Sequence, residues 1–206
     1  MTGTLFVNSA KIDFKQLNRL LVYLRDWEYG DFDAFHLVTT KEPRDLNEPG
    51  EGFDHPHDVE PTHADLDADP PNAWKGASIT DVEEYVLRVA NDPDPKGVNT
   101  SIYLLWDDRG VEEHSVIVGQ RRFDDESDEL TNEFNRVRCP WDCAYAMWCN
   151  LDIANMDFED YTDEDVGRDQ DEWYTYDIEN IPPDISEENQ QRRREALEEL
   201  EREGKA

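Results

Sequence analysis

Basic residues, cysteines and long apolar runs are all scarce in this chain of 206 residues. Lysine and arginine together number 20, against 51 aspartates and glutamates, so the formal net charge is −31. Direct binding of DNA or RNA requires clustered cations that contact phosphates, and this composition argues against it. No apolar run approaches the roughly 20 residues that a helix needs to cross a bilayer, so we expect no membrane-spanning segment.

The few cysteines lie in one short segment, as Cys139, Cys143 and Cys149. An odd number of cysteines so close together is not a disulfide framework. The first nine residues lack the basic start and the apolar stretch of a secretory signal. We therefore expect a reducing compartment, the cytoplasm or the nucleus. Cys139 and Cys143 are one helical turn apart near a predicted helix start, and we interpret them as inert core residues rather than reactive thiols.

The usual motifs of catalysis and nucleotide binding are also missing from the sequence. It contains no G-x-S-x-G, no P-loop and no G-x-G-x-x-G. Ser115 beside His114 does not by itself indicate a Ser–His–Asp triad. The sequence therefore favours a protein without enzymatic activity, and it indicates no cofactor.

Apolar periodicity predicts an α/β fold that borders on α+β. Residues 4–8 form an apolar, β-prone segment, and a helix follows with Asp13 and Gln16 placed as a capping box. A second β-prone segment covers residues 34–40. Strand, helix and strand within about forty residues indicate a right-handed βαβ unit with parallel strands.

The remainder of the pattern adds a hairpin and two helices. Strands at 101–106 and 114–118 flank residues 107–110, where a glycine suits the positive φ of a tight turn. Three further elements are predicted: a helix capped by Thr80 and Glu83, a fifth strand at 133–138, and a helix that begins at Pro140. We expect one domain over residues 1–165, a mixed sheet of about five strands with three packed helices.

Two acidic regions stand apart from this pattern. Residues 41–77 form a long proline-rich loop, and residues 166–206 form an acidic C-terminal extension with a helix from residue 186. Such charge runs are typical of a solvated surface or of adaptation to a saline environment. Our first functional hypothesis is a binding or regulatory protein whose acidic surface contacts a basic protein partner. A second is an inhibitor whose carboxylates imitate the phosphates of a nucleic acid.

The loop at residues 54–69 supports a third hypothesis. It holds His55, His57 and His63 among several carboxylates, and these groups suit zinc or another divalent metal such as calcium. The protein would then be a metal-binding protein or a metal-dependent enzyme, whereas the alternative is a solvated loop. Residues 163–172 superficially resemble a calcium loop, but their glycine and glutamate spacing does not match an EF-hand.

The most distinctive segment covers residues 148–161. It resembles the signature N-L-x-[IL]-A-N-M-D-F-x-[DE]-[FY] of an uncharacterised family of small actinobacterial and fungal proteins, whose domain has no known function. Weaker similarity extends over residues 1–165, so the resemblance implies a fold and no activity. Within this segment the candidate binding residues are Trp148, Asn150, Asn155 and Asp157. Because short polar side chains at helix ends usually bond to nearby backbone, a capping role for the asparagines is the favoured interpretation.

Overall fold

A computed structural model describes residues 3–28, 34–42, 72–92, 99–124, 126–163, 165–166 and 173–206. In these ranges six strands form one sheet in the order β2-β1-β3-β4-β5-β6, together with five α-helices and one 3-10 turn. The strands are β1 Gly3–Val7, β2 Phe35–Leu37, β3 Ile102–Trp106, β4 Ser115–Asp124, β5 Glu129–Pro140 and β6 Tyr174–Thr175. The helices are α1 Phe14–Tyr23, α2 Ile79–Ala90, α3 Asp108–Glu113, α4 Trp141–Asp152 and α5 Glu187–Arg202, and the 3-10 turn is Glu159–Tyr161.

The sheet is mixed, which confirms the predicted fold class. β1 pairs in parallel with both β2 and β3, as the βαβ prediction requires. β4 is antiparallel to β3 and to β5, and β6 is parallel to β5. β4 is therefore the one described strand that runs against the other five.

The connection between β3 and β4 differs from the tight turn predicted at residues 107–110. It is the short helix α3, and the Asp107 carboxylate caps it by accepting a hydrogen bond from the Gly110 N–H at 2.7 Å. The positive φ of 53° belongs to His114 instead of Gly110. Position 110 requires a glycine for a steric reason, because a Cβ there would overlap the carbonyl oxygen of Ser115. The spacing thus identified the antiparallel pair but not its connection.

Local capping explains where the first two long helices begin. α1 has the predicted capping box, in which Asp13 accepts from the Gln16 N–H at 2.9 Å and Gln16 accepts from the Asp13 N–H at 3.1 Å. The box predicted for α2 is wrong, because Ser78 and Asp81 form it. Glu83 points inward to bond with other elements and does not cap the helix.

Two cores lie on opposite faces of the sheet. Alternation along β1 places Leu5 and Val7 on one face and Phe6 on the other. The first face packs against α1 and α4, and the second packs against α2 and Trp74. Burial on both faces accounts for the nearly continuous apolar character of β1 and β3.

Residues 173–206, which the sequence assigns to an extension, contact the rest of the domain. β6 pairs with β5, and Tyr176 is buried in the larger core. α5 begins after Ser186, which caps it, and it packs Ala196 and Leu200 against Val22 and Trp27 beside α1. No helix in the described ranges combines the length and apolar character that spanning a membrane requires.

Candidate functional site

A cavity of about 570 Å³ lies where the end of α1, one face of α4 and the chain entering α5 meet. α4 contributes positions 142, 145, 146, 149 and 150, whose spacing of three and four residues places them on one helical face. Ala144, Met147, Trp148 and Leu151 of the same helix belong to the larger core on the sheet. α4 therefore separates that core from the cavity. We call this space the α4 cavity.

The α4 cavity has aromatic walls that carry arginines. Tyr23 and Trp27 line it from the α1 side. The guanidinium carbon of Arg193 lies 4.5 Å from the ring centroid of Tyr23. Trp27 has two such neighbours, Arg25 at 5.5 Å and Arg192 at 5.7 Å. Cation–π contacts of this kind show that the rings accept a flat cation at close range.

The charged lining has a surplus of carboxylates. Four acidic side chains, Asp26, Glu28, Asp142 and Asp184, face two arginines, Arg25 and Arg193, so the lining carries a formal charge of −2. The free energy of placing a cation in the cavity is therefore lowered by the net charge as well as by the rings.

Asp26 is the most deeply buried of these carboxylates, with 1% of its surface exposed. It accepts hydrogen bonds from the Glu28 N–H at 3.1 Å and from the Tyr145 hydroxyl group. Burial, and after it the adjacent Asp26 carboxylate, raises the pKa of Tyr145, so this phenol remains a neutral donor. A hydrogen bond from the backbone N–H of Ser186 lowers the pKa of Glu28. The Asp26 carboxylate thus fixes Tyr145 on the α4 wall, and the Glu28 carboxylate fixes the chain at Ser186, where α5 begins.

The four binding candidates from the sequence do not share one site. Asn150 and Asn155 line the α4 cavity, and their side chains bond to each other at 2.8 Å. Trp148 is on the opposite face of α4 and packs edge-on against Phe35 at 4.9 Å. Asp157 lies beyond the helix, where its N–H donates to Asp160 at 2.9 Å, and it is not among the lining residues of the cavity.

The proposed metal ligands His55, His57 and His63 lie outside the described residues. So does most of residues 163–172. Within the ranges that the structure covers, no group of three or more His, Cys, Asp or Glu side chains is arranged to hold a metal ion. The histidine-loop metal site stays a prediction.

A second cavity, of about 310 Å³, adjoins the first. It lies beside the carboxyl end of β3, and Trp106, His114 and Trp141 line it. Tyr23 and Asp142 line both cavities and so form the wall between them. Arg193 of α5 lies at this shared wall, where it contacts both residues.

Comparison of the chain with protein-family models, with curated proteins and with solved structures finds no match. The family resemblance of residues 148–161 accordingly stays a prediction.

Several residues of the site were missed at the level of sequence. The sequence pattern singles out neither Trp27 nor its charged neighbours Arg25, Asp26 and Glu28. The alternation of acidic, basic and aromatic side chains directly after an amphipathic helix was the available signal. Nothing in the local sequence indicates a binding role for Arg193, because it lies in a run of three arginines that is typical of a solvated helix.

The cysteines differ in ways that a labelling experiment measures. Cys139 and Cys143 are buried, and burial raises the pKa of both thiols. Cys149 is half-buried and lines the α4 cavity. Because the thiolate is the reactive form, we expect iodoacetamide to modify Cys149 alone in the folded protein. Mass spectrometry should show one adduct under native conditions and three in denaturant; modification of Cys139 at the rate of Cys149 would contradict this assignment.

Proposed function

We propose that this protein is a non-enzymatic binding protein that recognises a basic protein partner, and that the α4 cavity receives a cationic side chain of that partner. The observation that carries the proposal is that one cavity combines aromatic rings in contact with guanidinium groups and a surplus of carboxylates. The volume of about 570 Å³ is within the range of small-ligand sites, so a long side chain and its neighbours fit.

The charge of the whole chain supports the same proposal. A net charge of −31 attracts a basic partner from a distance and accelerates encounter, although it does not discriminate among basic partners. Discrimination comes from groups that hold one side chain in a fixed place. Asp26 is nearly fully buried in the cavity lining, and such a packed carboxylate is preorganised for recognition.

The test uses a short blocked peptide, acetyl-Gly-Arg-Gly-amide, and its citrulline counterpart, which has nearly the same shape without the charge. We expect calorimetry to show binding of the arginine peptide and at least about tenfold weaker binding of the citrulline peptide. The arginine peptide should also slow alkylation of Cys149, since that thiol lines the cavity. Equal affinities for the two peptides, or unchanged Cys149 labelling at saturation, would refute the proposal.

A pair of variants localises the effect. Asp184 is an exposed carboxylate on the cavity wall, and Asp184→Asn should weaken peptide binding by up to about fivefold, the upper end of the range for an exposed ion pair. Glu126→Gln removes the same charge at the exposed connection between β4 and β5 and should leave the affinity unchanged. Equal losses in both variants would mean that only the net charge of the protein attracts the peptide.

A further inference from the structure

The Arg193 side chain occupies a defined position between α1 and α4. Its guanidinium group stacks on Tyr23, and Nη2 lies 3.3 Å from Oδ2 of Asp142. The side chain is only 11% exposed although it belongs to a highly charged helix. A planar cation between an aromatic face and a carboxylate is the arrangement that suits a guanidinium better than an ammonium group.

We infer that Tyr23 and Asp142 form a guanidinium subsite, that α5 fills this subsite with its own Arg193, and that an arginine of the partner displaces it. The inference rests on the proposed function and names the side chain that the cavity recognises. It also gives α5 a role, as an internal ligand that competes with the partner.

The bond that holds Arg193 is weaker than others of its type in this protein. Arg136 binds Glu83 through two contacts of 2.6 Å, and Arg138 binds Asp107 through contacts of 2.9 and 2.8 Å. Arg193 makes one contact of 3.3 Å with Asp142. Bidentate pairs are the stronger form, so an arginine free of the α5 backbone gains a second bond that Arg193 lacks.

The attachment of α5 permits such an exchange. Its buried apolar contacts are few, with Ala196 and Leu200 against Val22 and Trp27. Leu197 adds a partly buried apolar contact. Polar, partly exposed contacts include Arg19 to Glu201 at 2.8 Å and, just beyond α5, Asn18 to the Lys205 carbonyl oxygen at 2.7 Å. Exposed pairs contribute up to about 1 kcal/mol each. Detachment of α5 would therefore expose the small cluster around Leu200 but would open neither core of the sheet.

The decisive experiment compares Arg193→Gln with Arg194→Gln for binding of acetyl-Gly-Arg-Gly-amide. Both variants remove one positive charge from α5, but Arg194 is exposed and bonds to Gln191 on its own helix. We expect Arg193→Gln to bind the peptide at least about fivefold more tightly than the wild type, and Arg194→Gln to bind it unchanged. For the corresponding lysine peptide, Arg193→Gln should increase the affinity less. An ammonium group cannot both lie flat on the Tyr23 ring and donate two parallel hydrogen bonds to a carboxylate.

A second measurement needs no variant. If the peptide displaces Arg193, hydrogen exchange of the amides in residues 187–202 should accelerate in the wild-type protein at saturating arginine peptide. Slower exchange there would place the peptide beneath a closed α5 and overturn the inference.

An Arg193→Gln variant that binds no more tightly than wild type would also overturn it, with the proposed function intact. Failure of every variant to bind any cationic peptide would instead reject the proposed function.

Discussion

Replacing Glu83 by alanine is expected to lower the free energy of unfolding by about 3 kcal/mol, the range for removing one partner of a buried ion pair. Glu83 is buried on α2, and its carboxylate accepts two contacts of 2.6 Å from Arg136 and one of 2.8 Å from the Tyr103 hydroxyl. Alanine leaves the Tyr103 hydroxyl without its acceptor and the Arg136 guanidinium without its partner. Because the phenol is buried, leaving its hydroxyl group without an acceptor is costly.

A urea or thermal melt measures this effect. At this chain length, about 3 kcal/mol corresponds to a fall of roughly 6–12 °C in Tm. Glu84→Ala is the matched control, since it makes the same change one residue further on, at an exposed position of α2. We expect the control to remain within about 0.5 kcal/mol of the wild type. Similar losses in the two variants would show that the Glu83 contacts contribute nothing beyond a surface carboxylate.

Gly119→Ala is expected to have an effect of similar size, about 3 kcal/mol, through overpacking. Gly119 lies opposite Tyr103 in the β3–β4 pair, and an added Cβ would overlap two ring atoms and the hydroxyl oxygen of the tyrosine. The ring cannot move freely, because it packs edge-on against Phe6 and Phe134 and its hydroxyl group binds Glu83. Displacing the ring therefore also breaks the hydrogen bond described above.

Two comparisons separate this cause from others. Gly76→Ala adds a methyl group that meets nothing within 4 Å, so its cost comes only from the φ of +76° and is expected near 1 kcal/mol. Because Gly119→Ala and Glu83→Ala damage the same tyrosine, the double variant should lose less stability than the sum of the two single variants. Strict additivity, or a Gly119→Ala loss no larger than that at Gly76, would rule out the steric explanation.

The parts of the fold that were predictable are those set by neighbours in sequence. The α1 capping box joins residues three apart, and the first parallel pair follows from a strand, a helix and a strand in succession. The α2 cap was mispredicted because Glu83 bonds to Arg136, which is 53 residues away in the sequence. The same limit applies to the cavity. Asn150 and Asn155 were identified from a local segment, whereas Arg193 and Tyr23 meet only through the tertiary packing of α5 on α1.

The strand order of the sheet has a consequence for how fast the chain folds. β4 and β5 are sequence neighbours, and they can pair as soon as both exist. β1 must wait for β3, because Thr4 pairs with Tyr103 about 100 residues later. α1 gains its α5 neighbour later still, through contacts such as Arg19 to Glu201. Chains dominated by such distant pairings fold in milliseconds to seconds, and Tyr23 and Trp27 remain accessible to other molecules during that interval.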